Sequence, residues 1–481
     1  MSPTWHNHTG NQRCHPRQIV EVTTLADLVE LVQRAEREQV TVHSVGSGHS
    51  WSDVALTEGY LIDPSGLRGL VGLDDGTLAD GFTGNRLVRV LAGTPLRQLN
   101  DALDRATLAL PNMGGYDAQT IGGVVSTSTH GSGLDWGPFP DLVRSLDLVV
   151  AGGAVLRVEP ARGLTDPVRF DAVFGGTRRL VQEDETFRAV VCGMGCMGLM
   201  HSLVIDVREK FWLNEVRTLD TWEDLRDRLT PDQVLGEGDH YELFLNPYPG
   251  VKGKHRVLVT RRRDCPEPVD QPPDKLMRHP LIEIQSSWWI TGLLLRLLAR
   301  HAPSLVASRF DGLLDDMTDD GYANVSYKVF NIGEANNLPA YSMELGVALK
   351  DGRHIECINR LLEIASERRA EDRLHHTSPI ALRFVAPSDA YASMMYERAT
   401  MMIELIMIDG TRGGYELLAG YEQRLADLDV RPHWGQVNWL TAQRVEGLYP
   451  RWPAWLDAHR VLNASSVFDS PFSQRVGIPR A

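Results

Sequence analysis

Cysteine is scarce in this chain: Cys14, Cys192, Cys196, Cys265 and Cys357 are the only thiols in 481 residues. An odd number so thinly spread offers no disulfide framework and no paired CxxC zinc spacing, which points to a reducing cytoplasm. A basic footprint is also missing. Asp and Glu number 63 against 49 Lys and Arg, a net charge of −14, and both nucleic acid and an anionic membrane surface call for the opposite sign. Neutral or cationic small molecules stay open as partners. Long apolar runs are absent too. The most apolar stretch, Trp288 to Leu298, is interrupted by Arg296 and falls far short of the ~20 residues of a membrane span, so a core helix is expected there. Residues 1–10 lack the basic-then-apolar order of a signal peptide, and no internal repeat is visible. The rest of the composition, 43% hydrophobic and 23% charged, is that of a globular protein, long enough for two or three domains.

What the chain does have is glycine in clusters beside strands. Thr24 to Gln39 carries apolar residues at Leu25, Leu28, Val29, Val32 and Ala35; with Thr24 as cap and Asp27 three positions on, this predicts a capped amphipathic helix. A strand, Val40 to Val45, then empties into Gly46-Ser47-Gly48-His49-Ser50. In a Rossmann unit or a P-loop the glycine loop opens directly into a helix; here the chain runs on to a second β-like stretch, Tyr60 to Ile62, which disfavours both. A helix is expected from Thr94-Pro95 to about Ala106. The densest turn chemistry follows, Gly114-Gly115 through Gln119-Thr120-Ile121-Gly122-Gly123 to Thr129-His130-Gly131-Ser132-Gly133. Such a segment fits a surface loop, or a backbone that approaches an anion such as a pyrophosphate and offers it N–H donors. A hairpin is predicted at Leu146 to Val158 around Gly152-Gly153. A third cluster, Gly193 to Gly198, precedes a strand at Leu203 to Val207 and holds Cys192 and Cys196, which read as buried small-residue packing rather than a redox pair. Three glycine loops beside strands are what one extended nucleotide cofactor would need. From about Lys210 to Leu425 the character changes to longer polar helices, Pro-rich connections such as Pro266 to Pro273 and strands such as Tyr322 to Phe330, a second domain by this reading. The chain ends in an aromatic segment, Arg431 to Trp439.

VGSGHSWSD (Val45 to Asp53), QTIGGVVSTSTHGSG (Gln119 to Gly133), DETFRAVVCGMGCMG (Asp184 to Gly198), PIALRF (Pro379 to Phe384) and RPHWGQVN (Arg431 to Asn438) occur in the order and approximate spacing of the FAD-linked oxidases of the vanillyl-alcohol oxidase type. Over nearly its whole length the chain resembles their sugar-1,4-lactone and alditol oxidase branch. The resemblance implies an α+β fold: a two-subdomain FAD-binding domain of the PCMH type over residues 1–208, an α+β cap over 209–425, and a C-terminal segment, 426–481, returning to the FAD domain. It implies FAD bound covalently through His49, for which a neutral ring nitrogen is a suitable nucleophile. No cysteine stands where a second covalent link would be expected. By the same resemblance Val45, Gly46, Ser47, Gly48, Ser50, Gly114, Gln119, Thr120, Gly122, Gly123, Ser126, Thr129, His130, Gly131, Gly195, Gly198 and Asn438 bind the cofactor, with Ser47, Gly48, Ser50, His130 and Gly131 along the pyrophosphate. Gly122 corresponds to a position where a small residue resembles the oxidases and alanine the dehydrogenases.

The resemblance breaks at the substrate. The family's Glu-x-Arg pair and its lysine after His-Trp-Gly hold the substrate hydroxyl and the flavin edge where negative charge builds up. Here Arg383 is kept, but the glutamate position is Ala381, the lysine position is Gln436 and the polyol-binding serine position is Val124. Paired loss of a buried carboxylate and ammonium leaves no unpaired charge, which suggests a changed substrate rather than decay. Arg383, Gln436, His433 as acceptor of the hydroxyl proton, and Glu344 as a compensating carboxylate are the expected catalytic residues, with satisfied packing the alternative for the last two. The expected function is an FAD-dependent oxidase of a CH–OH group in a polar, sugar-like or secondary-metabolite substrate, with molecular oxygen as acceptor and hydrogen peroxide as product. A dehydrogenase using another acceptor, and a flavin-binding protein without alcohol oxidation, are the alternatives.

Overall fold

The structure, a computed structural model, describes residues 2–82, 86–250, 252–270, 272, 288–332 and 339–480. Near the N-terminus β1 (Gln18–Glu21), β2 (Val42–Ser44) and β3 (Tyr60–Asp63) form a parallel sheet in the order β1-β3-β2. The helix α1 (Leu25–Arg37) joins β1 to β2. Thr24 accepts from the Asp27 N–H while the Asp27 carboxylate accepts from the Thr24 N–H, the reciprocal cap expected from the sequence. Leu28, Leu31, Val32 and Ala35 bury the apolar stripe of α1 against β2 and β3.

A second sheet contains β4 (Leu70–Val71), β5 (Leu87–Leu91), β6 (Val143–Val149), β7 (Val155–Glu159), β8 (Arg179–Gln182) and β9 (Leu199–Asp206), in the order β8-β7-β6-β9-β5-β4. The expected hairpin is β6-β7, and both glycines of its turn, Gly152 and Gly153, have φ near +75 to +79°, a conformation that costs other residues a Cβ clash. The helix α2 (Leu96–Arg105) begins one residue later than the sequence suggested: Pro95 occupies the cap position, and the Thr94 hydroxyl donates to Leu91 O instead of capping. A short helix, α3 (Ile121–Ser126), is capped by the Thr120 hydroxyl. Cys192 and Cys196 are free and buried in the apolar cluster.

The third sheet dominates the middle of the chain. Its strands are β10 (Trp212–Thr221), β11 (His240–Leu245), β12 (Arg256–Cys265), β13 (Asp319–Val325), β14 (Ala340–Ala348), β15 (Ile380–Val385), β16 (Thr400–Ile408) and β17 (Arg431–Pro432), in the order β13-β10-β12-β11-β15-β16-β14-β17. Register gives this sheet two unlike faces. Leu243, Leu382, Ile403 and Leu345 stand opposite one another across four strands. They pack on α5 (Arg353–Glu371) and α6 (Gly414–Arg424), each fully buried side chain contributing about 1.5–3 kcal/mol. The rows on either side, Phe244-Ala381-Glu404-Glu344 and Glu242-Arg383-Met402-Gly346, project from the other face, because alternate residues of a strand point opposite ways.

Two expectations are corrected. The stretch from Tyr322 to Phe330 is strand only to Val325; residues Ser326–Phe330 are helical. Trp288–His301 is a helix, α4, but not a core helix: Leu293, Leu294 and Leu297 are 52, 55 and 46% exposed while Ala299 is buried, so it lies on the surface with only part of its circumference covered. Among the described residues no helix is long and apolar enough to cross a membrane. Gln271 and Pro273 of the Pro-rich connection lie outside the described residues.

Candidate active site

The polar face of the large sheet meets the glycine loops and the C-terminal segment. Gly133 N–H donates to Phe384 O at 2.5 Å, Phe384 N–H to the Ser132 hydroxyl at 3.2 Å, and His433 N–H to Glu344 O at 2.9 Å. Trp51 N–H donates to Gly435 O at 2.7 Å, so the loop that carries His49 is tied to the segment that carries His433 and Gln436.

At the centre lies Arg383. Its Nε donates to Glu242 Oε1 and its Nη1 to Glu404 Oε2, both at 2.8 Å, and Glu344 Oε1 is 3.6 Å from Nη1. Behind it Arg262 bridges Glu242 and Glu215. Three expected residues, Arg383, Glu344 and His433, are thus brought together. Glu404 was missed from sequence; the available signal was a lone acid in the apolar run Thr400–Ile408.

His130 extends this cluster. Its Nδ1 must carry a proton, because Gly131 O at 2.8 Å can only accept. Its Nε2 then faces Glu344 Oε1 at 3.2 Å, without completing a hydrogen bond to it. Burial alone would raise the Glu344 pKa, but His130, His433 and Arg383 overcome burial and hold the carboxyl below its usual range. The His130 ring thus lies between Gly131 O on one side and Glu344 on the other. His433 is corrected. Gly435 N–H donates to its Nδ1 at 3.0 Å, and burial lowers its pKa to about 4. The neutral ring therefore keeps its proton on Nε2, and the lone pair expected to take a hydroxyl proton is already occupied. Gln436 Oε1 is buried without a hydrogen-bond partner among the described residues, an acceptor left open at the meeting of the three segments.

The residues expected to hold FAD divide in two. Residues 46–50 form a donor-rich loop: none of their backbone N–H groups donates to an acceptor among the described residues, and Gly46 and Ser47 are exposed, which suits a diphosphate. Gly48 has φ +70° there. His49 lies within this loop with Tyr116 Oη 3.0 Å from its Nε2 and the His8 ring centroid 4.5 Å away. Burial, then His8 and Arg97, lower its pKa to about 4, so its ring is neutral at pH 7 and one of its two nitrogens retains a lone pair. These features fit FAD. Gly114, Gln119, Thr120, Gly123 and Thr129 frame the neighbouring loop, where a Cβ on Gly46 would come 2.3 Å from Thr120 Oγ1. Val45 is buried and pairs with Ile62 O.

The others are taken up by the chain. A Cβ at Gly131 would meet Asn112 Oδ1 at 2.2 Å, one at Gly195 the His43 ring at 2.7 Å, and one at Gly198 Val149 O at 2.7 Å. Ser126 donates to Gly122 O. Asn438 donates one amide N–H to Gln436 O and accepts from Arg475, which leaves its second N–H available. At Gly122 a Cβ would lie 2.9 Å from Ala92 O and 3.0 Å from Ala92 Cβ; packing excludes a side chain there whatever the electron acceptor.

Comparison with known proteins agrees with this arrangement. A model described as an FAD binding domain matches residues 16–159, and one described as D-arabinono-1,4-lactone oxidase matches residues 204–476. L-gulono-1,4-lactone dehydrogenase of Mycobacterium tuberculosis is 28% identical over 478 residues, covering 99% of each chain. L-gulonolactone oxidase of Mus musculus is 23% identical over 479 residues, covering 96% of each. Among solved structures, a cholesterol oxidase from B. sterolicum has a TM-score of 0.76 at 15% identity, covering 100% of this chain and 97% of that one, a likeness of fold that shares the two-subdomain α+β plan. With the second model spanning more than half of its residues, the chain belongs to the D-arabinono-1,4-lactone oxidase family of FAD-binding oxidoreductases.

Proposed function

We propose that the protein oxidises a CH–OH group of a small polar, sugar-like molecule, with oxygen as electron acceptor and hydrogen peroxide as product. The observation that carries this reading is the Arg383 cluster: a buried cation with three carboxylates and two histidines beside the loop of His49. FAD would supply the two-electron oxidation. Residues 46–50 would hold its diphosphate and His49 would tether it covalently, the neutral ring being the reactive form. Arg383 would bind the substrate oxygen, Gln436 and the His433 Nε2–H would orient its hydroxyls, and the buried surroundings would strengthen each of these contacts. The lactones named for the relatives make aldonolactones the first substrates to try. The partition at residues 208 and 425 is part of the same proposal.

Anaerobic bleaching of the flavin by a panel of aldonolactones, alditols, amino sugars and sterol-like alcohols, followed by air while peroxide is measured, tests the reading. Bleaching by one class with rapid reoxidation is the expected result, and a wild-type flavin that no compound bleaches rules it out. Acid precipitation tests the tether: wild-type flavin should pellet with the protein and that of His49→Ala should stay in solution, whereas soluble wild-type flavin excludes the covalent bond.

A second reading, a dehydrogenase with a different acceptor, is favoured by one finding. The packing of Gly122 against Ala92 accounts for that glycine without reference to oxygen, and the M. tuberculosis relative is named a dehydrogenase. Slow reoxidation in air with fast turnover on a quinone or dye would select it.

A further inference from the structure

We propose that Glu404 is the carboxylate that faces the substrate hydroxyl and takes its proton, standing in for the glutamate that the family pattern would place at Ala381. The proposal rests on the CH–OH reading above. It follows from register: Ala381 stands directly opposite Glu404, and Glu404 opposite Glu344, in one row across β15, β16 and β14. Directly opposed residues share a face about 5 Å apart, so a carboxylate lost from β15 and gained on β16 moves one strand along the row. It still reaches the same arginine, since Arg383 Nη1 donates to Glu404 Oε2 at 2.8 Å.

Three carboxylates surround Arg383, and they differ in what they have left to offer a substrate. Glu242 gives one oxygen to Arg383 and the other to Arg262. Glu344 Oε1 lies 3.2 Å from His130 Nε2 and 3.6 Å from Arg383 Nη1, shut in between these two groups though without a hydrogen bond among the described residues. Among the described residues Glu404 accepts, beyond Arg383, only from the Ser342 hydroxyl at 3.3 Å, which is equally near Met343 O. Its side chain is 13% exposed, against 4% for each of the other two. His433 is excluded as acceptor by the Gly435 N–H on its Nδ1.

The surrounding charges favour the same division of labour. Facing Glu404 are Glu344 from β14, Arg383 from β15 and Glu242 from β11, with Arg262 from β12 and Glu215 from β10 behind them, His130 from the glycine loop, and His433 and Gln436 from the C-terminal segment. Burial raises the Glu404 pKa, Arg383 opposes it, and Glu344 and Glu242 raise it further, so the net shift is upward. Glu344 is shifted the other way. Two carboxyls pushed apart in this manner assign themselves, one as fixed anion and one as proton acceptor. In the step proposed, the substrate O–H bond breaks and its proton bonds to Glu404. The C–H bond breaks and the carbonyl C=O forms; oxidised FAD, when bound, would supply the two-electron acceptor for the hydride.

The experiment compares wild type with Glu404→Gln, Glu404→Asp and Glu344→Gln, using the panel compound that bleaches the wild-type flavin. Because Glu404 must be ionised to accept a proton, wild-type anaerobic reduction should rise with pH through the raised Glu404 pKa. Glu404→Gln should slow reduction about 100-fold or more and remove that acid limb at unchanged FAD content, and Glu404→Asp should restore the limb with part of the rate. Without any substrate, infrared titration should show a protonated-carboxyl band in wild type that Glu404→Gln lacks and Glu344→Gln shifts to lower pH. Wild-type rate and limb in Glu404→Gln, or a band lost with Glu344 and kept without Glu404, overturns the assignment alone. No bleaching of wild type by any compound overturns the proposed function, and this inference with it.

Discussion

The two β-sheets on either side of the glycine loops each bury an ion cluster, and the clusters are inverse in charge. In the six-stranded sheet one carboxylate, Asp147, takes Arg157 at 2.9 Å, Arg178 at 3.0 Å and Arg89, with Asp74 shared by Arg89 and Arg157. In the eight-stranded sheet one guanidinium, Arg383, takes three carboxylates. The first is closed, each partner consumed by another. The second keeps unpartnered acceptors at Gln436 Oε1 and Glu344 Oε1 and divides its acids into two held low, Glu242 and Glu344, and one held high, Glu404. Burial and charge therefore do not mark the site; unspent hydrogen-bonding capacity and split proton affinities do.

The largest expected effect comes from breaking the closed cluster. Asp147→Asn leaves the buried Arg89 and Arg157 and the partly exposed Arg178 short of a counter-charge and should lower stability by about 3–5 kcal/mol, read as the denaturation midpoint. The sign with pH follows. Burial would raise the Asp147 pKa, but Arg157, Arg89 and Arg178 outweigh burial and lower it. Its stabilisation is thus present above the unfolded-state value and is lost as pH falls through the folded one, so wild type and variant should converge in acid. Arg383→Met should behave as the counterpart: a loss of about 3 kcal/mol at neutral pH that also shrinks in acid, in this case because the stranded carboxylates are neutralised. The clusters separate in function. With FAD content equal, Arg383→Met should not be bleached by substrate, whereas any Asp147→Asn protein that folds should be.

Smaller effects test the glycine frame between the sheets. Gly131→Ala would place a Cβ 2.2 Å from Asn112 Oδ1 and 2.6 Å from Met113 O. Overpacking of this kind costs about 1–3 kcal/mol, and thermal unfolding should show it. Gly48, at φ +70° but with its nearest neighbour 3.4 Å away, should resist alanine through backbone strain rather than contact, about 1 kcal/mol, with FAD retention as the more sensitive measure.

Much of this plan was legible because it is local. The Thr24-Asp27 cap, the β6-β7 turn and the glycine loops depend on residues a few positions apart, and the ordered motifs supplied the family. What escaped depends on register. Ala381 and Glu404 become opposite only once β15 and β16 pair, so the chain reads as having lost a carboxylate that the sheet brings back one strand over. The roles of His130 and His433 turned on which nitrogen faces Gly131 O and which faces Gly435 N–H, a distinction that residue type does not carry.

The smallest expected effect lies on α4, where apolarity read from sequence suggested a core helix. Leu293, Leu294 and Leu297 are about half exposed, so the area each withdraws from water is modest and polar replacement removes little. Leu294→Gln should change stability by less than about 0.5 kcal/mol, against about 2–5 kcal/mol for Leu382→Ala, which is fully buried in the row that packs on α5 and α6. Equal losses at the two leucines would mean that α4 is covered in solution, and the contrast between an apolar sequence and a buried one would fail on this helix.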